Sequence, residues 1–199
     1  TFAERFIEGD NFGQTIRTSL NSTNGRYMVA VLSNIGLSQG SGKCINIFEE
    51  QSDRSHECVA VLCLPSTDVF TGDDRASFGR GFDIVDGVCL AGFGAYADPG
   101  RSGIAFFRRD NQTQVWSFVS VIEPPAVNPG ENPEYFGTSI VLEKTSGKTA
   151  VIGSPSSAVG ILKTPPPDVP TPAGGSVYLL TLSNQDVWSV QDKMQDPFS

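Results

Sequence analysis

Three observations predict an all-β fold built from three four-stranded antiparallel units. A Phe-Gly pair recurs at Phe12-Gly13, Phe78-Gly79 and Phe136-Gly137. Each pair opens the same order of segments: apolar strand, polar turn, second apolar strand, loop, glycine, hairpin. A Val-Trp-Ser triplet then closes two of the units, at Val115-Trp116-Ser117 and Val187-Trp188-Ser189. Both tryptophans stand thirteen residues after a glycine, Gly103 and Gly175. No stretch shows apolar residues at sustained 3.6 spacing, so helix is expected to be scarce. The 21 glycines and 13 prolines suit a chain of many turns.

The first unit reads Thr15-Ile16-Arg17, a turn at Thr23-Asn24-Gly25, Tyr27-Met28-Val29-Ala30-Val31-Leu32, and a hairpin from Cys44 to Phe48 and Cys58 to Leu62. The second reads Phe82-Asp83-Ile84-Val85, the turn Asp86-Gly87, Val88-Cys89-Leu90-Ala91-Gly92-Phe93, and a strand opening at Gly103-Ile104-Ala105-Phe106-Phe107. The third reads Ser139-Ile140-Val141-Leu142, the turn Thr145-Ser146-Gly147, Ala150-Val151-Ile152-Gly153-Ser154-Pro155, and Gly175-Ser176-Val177-Tyr178-Leu179-Leu180. Asp-Gly and Ser-Gly supply the positive φ angles that tight turns demand. Runs such as Val29-Ala30-Val31-Leu32 and Ala150-Val151-Ile152 suit strands covered on both faces, and the aromatics are assigned to packing. The organisation expected is a closing strand of a preceding unit at 1–11, units at 12–64 and 65–122, a Pro-rich linker at 123–135, and a third unit at 136–199 with a Pro-rich insertion at 156–174.

This pattern resembles the FG-GAP repeat, the blade of integrin-α-type β-propellers, with Gly153-Ser154-Pro155 where the family carries Gly-Ala-Pro. The resemblance covers nearly the whole chain and implies propeller-type blades in a secreted or surface protein. Calcium-binding members place an acidic Asp-x-Asp-x-Asp-Gly-like loop between the first two strands. The loops here offer at most one or two carboxylates, Asp83 and Asp86 being the nearest approach, against the 6–8 oxygens calcium takes. No metal and no cofactor is therefore expected.

Acids outnumber bases 22 to 14, a net charge of −8, and no basic cluster exceeds a pair such as Arg108-Arg109. Nucleic acid is thus an unfavoured partner, and no apolar run has the 18 or so residues of a membrane span. A chain that starts at Thr1 reads as a processed polypeptide or a fragment. The four cysteines, Cys44, Cys58, Cys63 and Cys89, lack metal-type spacing. Folding the first hairpin about Asp53-Arg54 sets Ile45 against Leu62, Phe48 against Val59 and Cys44 against Cys63. That favours a Cys44–Cys63 bridge, with Cys58–Cys89 by elimination; buried free thiols are the alternative. Sequons at Asn21 and Asn111 fall in hairpin turns, where glycosylation requires them. Together these features favour an oxidising, extracellular or cell-surface setting.

His56 is the sole histidine and sits in a polar turn. The acid pairs Glu49-Glu50 and Asp73-Asp74 read as solvated turn residues, and neither Gly92-Phe93-Gly94 nor Gly40-Ser41-Gly42 joins a strand to a helix as a phosphate cradle does. No catalytic residue is assigned. Three blades fall short of the four to eight of a propeller, and Phe2, Phe6 and Phe198 put aromatics near both ends. The function expected is a non-enzymatic structural or adhesive module, completed by other protein chains or further blades. A glycan-binding propeller using Trp116 and Trp188, or a propeller domain of a larger secreted enzyme, is the alternative.

Overall fold

The computed structural model describes residues 13–20, 25–37, 40–66, 70–94, 102–125, 135–155 and 175–195. Twelve strands form three four-stranded sheets, each an antiparallel meander in chain order. The first sheet holds β1 (Ile16–Leu20), β2 (Tyr27–Leu37), β3 (Gly40–Glu50) and β4 (His56–Cys63). The second holds β5 (Phe82–Val85), β6 (Val88–Phe93), β7 (Gly103–Arg109) and β8 (Trp116–Ile122). The third holds β9 (Ser139–Leu142), β10 (Thr149–Ser154), β11 (Ser176–Leu182) and β12 (Trp188–Gln195). The sheets stack on one another with first strands adjacent, β1 beside β5 and β5 beside β9.

The Phe-Gly pairs act at these joints. Gly13, Gly79 and Gly137 all have φ between +75° and +90°, a region that L side chains rarely enter. From that turn each glycine N–H donates to the second strand of its own sheet: Gly13 to the Leu32 carbonyl (3.1 Å), Gly79 to Gly92 (2.9 Å) and Gly137 to Gly153 (3.2 Å). Leu32, Gly92 and Gly153 are thereby equivalent positions, and strand register carries the equivalence across each sheet. A bulge falls at the same step of all three third strands, at Ile47/Phe48, Phe106/Phe107 and Leu179/Leu180.

The second sheet is buried on both faces. Phe82, Ile84, Cys89, Ala91, Ala105 and Phe107 face the first sheet, packing on Ala30, Leu32, Ile45 and Ile47. Val85, Val88, Leu90, Ile104 and Phe106 face the third, packing on Ile140, Ile152, Tyr178 and Leu180. Phe78 and Phe136 are buried at the two joints, each edge-on to a ring: Phe107 at 6.0 Å and Tyr178 at 5.3 Å. Trp188 is buried edge-on to Phe106, and Trp116 is half-buried against the core between the first two sheets.

Several sequence expectations are corrected. Because of the bulge, Phe48 lies opposite Cys58 rather than Val59. Cys44 and Cys63 are bonded as the register requires, with 4.5 Å between their Cα atoms, but Cys58 and Cys89 are free thiols. The register explains why: Cys58, paired with Phe48, points to the side of the first sheet turned away from the second, whereas Cys89 is buried in the joint between them. Neither acid pair is a solvated turn: Glu49-Glu50 ends β3 with Glu49 buried, and Asp73-Asp74 is helical. It opens α1 (Gly72–Ser77), where Thr71 caps the helix and the buried Asp74 carboxylate accepts from the Thr71 N–H and hydroxyl, both at 2.8 Å. This reciprocal capping box stabilises even a six-residue helix. The equal Gly-to-Trp spacing of thirteen residues does not make the two hairpin turns equal in length. Register sets Gly103 with Ser176 rather than Gly175, so the turn before Trp188 is one residue shorter. Asn21, Phe2, Phe6, Phe198, the pair member Phe12 and the insertion 156–174 lie outside the described residues, as does most of the 123–135 linker.

Candidate functional site

Charged side chains lock the two joints. At the first, the buried Arg109 guanidinium donates to the buried Glu49 carboxylate at 3.0 Å, and its Nε donates to the Gln114 carbonyl at 3.3 Å. At the second, Asp83, buried on β5, accepts from the Leu142 N–H at 2.8 Å and from Lys144 Nζ at 2.6 Å. Arg108 forms a further ion pair with Asp186. Asp83 is therefore engaged by an amide and an ammonium, which is anion-partner chemistry. Among the described residues no group of three or more His, Cys, Asp or Glu side chains could hold a metal.

The turns are capped by their own side chains. Asp53 accepts from the Ser55 N–H (2.9 Å) and hydroxyl (2.5 Å), Asp110 from the Gln112 and Thr113 N–H groups, and Glu143 from the Thr145 and Ser146 N–H groups. These bonds favour the ionised carboxylates. Glu143 is held down to about 2, chiefly by the Ser146 hydroxyl, while Asp53 and Asp110 are lowered by Ser55 and Thr113. Burial, followed by the nearby Asp83 charge, pushes the Cys89 thiol up, away from reactivity.

His56 is exposed at the start of β4, opposite Glu50, at the position equivalent to Trp116 and Trp188. Of the two tryptophans, Trp188 is buried between the second and third sheets and Trp116 is half-buried against the core between the first two. A shallow cleft beside Arg80, Tyr135, Phe136 and Thr138 has a cavity volume of about 10 Å³, no more than roughly one water needs. The Arg80 guanidinium lies over the Tyr135 ring there, 4.9 Å from its centroid.

The outer face of the third sheet is different in kind. Val141, Val151, Val177 and Met194 stand on it in one band across β9 to β12, 57%, 39%, 37% and 51% exposed. By register, Val151 corresponds to Leu90 and Ala30, Val177 to Ile104 and Ile45, and Met194 to Ile122 and Leu62. Those six are at most 8% exposed, because another sheet follows. The outer face of the first sheet likewise presents Ile16, Leu20 and Tyr27 to solvent near β1, although Val31, Ser33 and Asn46 further along it are buried. The sequence places Ala150-Val151-Ile152 in a strand covered on both faces, whereas Val151 is 39% exposed. The signal was nonetheless present in the repeat alignment, which lacks a fourth unit. The sequon asparagine Asn111, in the β7–β8 turn, is exposed.

No protein-family model matches the chain, and no curated protein matches it in sequence.

Proposed function

We propose that the chain is a non-enzymatic structural interaction module, working outside the cell or at its surface. Its three sheets are read as FG-GAP-type propeller blades whose outer faces dock on further sheets. The observation that carries this reading is the apolar outer face of the third sheet, which repeats the side-chain pattern used inside both joints. Such contiguous exposed apolar area marks an interaction surface. The Cys44–Cys63 bridge and the accessible Asn111 sequon support the oxidising compartment.

Met194 makes the docking reading testable. The chain has two methionines, Met28 buried between sheets and Met194 on the outer face. Peroxide oxidises accessible thioethers to sulfoxides. In a dilute single chain Met194 oxidises at the rate of a free methionine while Met28 is protected. Slow oxidation of Met194 in a chain shown to be alone would mean that the face is already covered, and the docking reading would fail. Loss of mass on glycosidase treatment, with two rather than four free thiols, tests the compartment.

A further inference from the structure

We propose that an N-linked sugar on Asn111 guards the free edge of β8 against pairing with the same strand of another copy. This rests on the extracellular part of the reading above and gives the modification a task. The first support is the composition of the sheet edges. Among the described residues β1, β4, β5, β8, β9 and β12 each pair with one strand and leave one edge free. A free edge presents unpaired N–H and C=O groups, a template for another extended chain. Proteins blunt such edges by keeping them short or by placing charge on them. β5 and β9 have four residues each. β1 carries Arg17, β4 carries Glu57, and β12 carries Asp192 and Lys193. β8 has seven residues, Trp116 to Ile122, without charge, proline or glycine. The uncharged run reaches back to Gln112. Segments of this length, rich in β-formers and free of charge, are those that pair between chains.

The bulge does not set β8 apart, because it recurs in all three fourth strands and leaves Val59, Val119 and Gln191 as the extra residues. Val119 is 39% exposed there, and Val115, just ahead of the strand, is 61% exposed.

The second support is the place of the sequon. Asn111-Gln112-Thr113 forms part of the turn between β7 and β8, and all three residues are exposed. The turn is fixed by its own groups. Asp110 accepts from the Gln112 N–H at 2.9 Å and the Thr113 N–H at 2.6 Å, and the Gln114 side chain donates to the Asn111 carbonyl at 2.7 Å. Asn111 is thereby held at the end of β8, where a second strand must pass to pair along its length. A bulky, solubilising sugar obstructs it there. The corresponding turns of the first and third sheets, at 51–55 and 183–187, hold no sequon. The one fourth strand without charge is the one whose turn can be glycosylated.

The test compares three full chains made in a host that glycosylates Asn-x-Ser/Thr: the parent, Asn111→Gln, and a double variant that adds Val119→Lys. Glycopeptide mass should place a sugar on Asn111 of the parent. Light scattering should show Asn111→Gln self-associating at concentrations where the parent does not, and the added lysine should reverse this. Hydrogen exchange should put the new protection in β8. A variant that had merely unfolded would not be rescued by one charge on an edge. An Asn111 without sugar overturns the proposal, as does an Asn111→Gln chain no more associated than the parent. Association that Val119→Lys leaves unchanged, or that protects β9 and β10 in place of β8, overturns it too. The docking face of the third sheet is judged separately, by Met194 oxidation.

Discussion

Gly137 shows how one residue can carry both a turn and a joint. It needs positive φ, and a methyl group there would meet Ile104 Cγ1 at 2.8 Å and Gly92 Cα at 3.1 Å. Gly137→Ala should therefore cost left-handed strain plus overpacking, about 2–4 kcal/mol in all. Gly13→Ala should cost only the strain, about 1–2 kcal/mol in a single chain, since no described residue lies within 4 Å of a β-carbon there. Chemical denaturation of both variants checks this, and equal losses would mean that packing against the preceding sheet contributes nothing. The Phe-Gly pairs were legible in the sequence because glycine conformation is a local matter. The fate of Cys58 and Cys89 was not, because it depends on which side of a sheet each faces, and the bulge at Ile47/Phe48 alters that local register. Asp74 was misread for a related reason: two acids in a row look solvated until Thr71, three residues earlier, is seen to close a capping box.

At the scale of elements, hairpin turns and cross-sheet ion pairs do different work. The turn carboxylates Asp53, Asp110 and Glu143 have lowered folded pKa values, Glu143 reaching about 2. A carboxylate depressed on folding adds stability that is present above its unfolded value, near 4, and lost as pH falls through the folded value. Acid unfolding should therefore steepen between about pH 4 and pH 2. Glu143→Gln should match the parent near pH 2 and fall only slightly below it at neutral pH, as the group is solvent-exposed, so that this part of the stability curve flattens. A parallel offset at every pH would mean that the charge is not what matters. Glu49 and Arg109 are buried together, so Arg109→Ala should cost roughly 3–5 kcal/mol by stranding the Glu49 carboxylate. Replacing both partners with apolar residues should recover most of that loss; an equally large deficit in the double variant would assign it to Arg109 packing instead. None of this pairing could be read from the chain, because Glu49 and Arg109 are 60 residues apart and meet only once two sheets are stacked.

At the largest scale, the described residues form an array in which only the middle sheet has another sheet packed on both faces. Strand content and strand order were legible, since each unit is a meander of sequence neighbours and its turns announce themselves. Stacking order also followed from the repeat. What the outer faces do was not legible, because an apolar residue in an alternating strand looks the same whether a sheet covers it or not. Stability in such arrays is shared between units and their interfaces, and opening free energies track burial and contact. β6 and β7 are buried almost throughout, whereas β1 is mostly exposed and β12 alternates little. Amide hydrogen exchange in the single chain should be slowest in β6 and β7 and fastest in β1 and the far half of β12. If a second sheet docks on each outer face, protection should spread to β9 and β10 on assembly, with β6 and β7 unchanged. Uniform protection across all three sheets in the single chain would instead describe one cooperative unit that gains nothing from company, and the middle-sheet argument would fall.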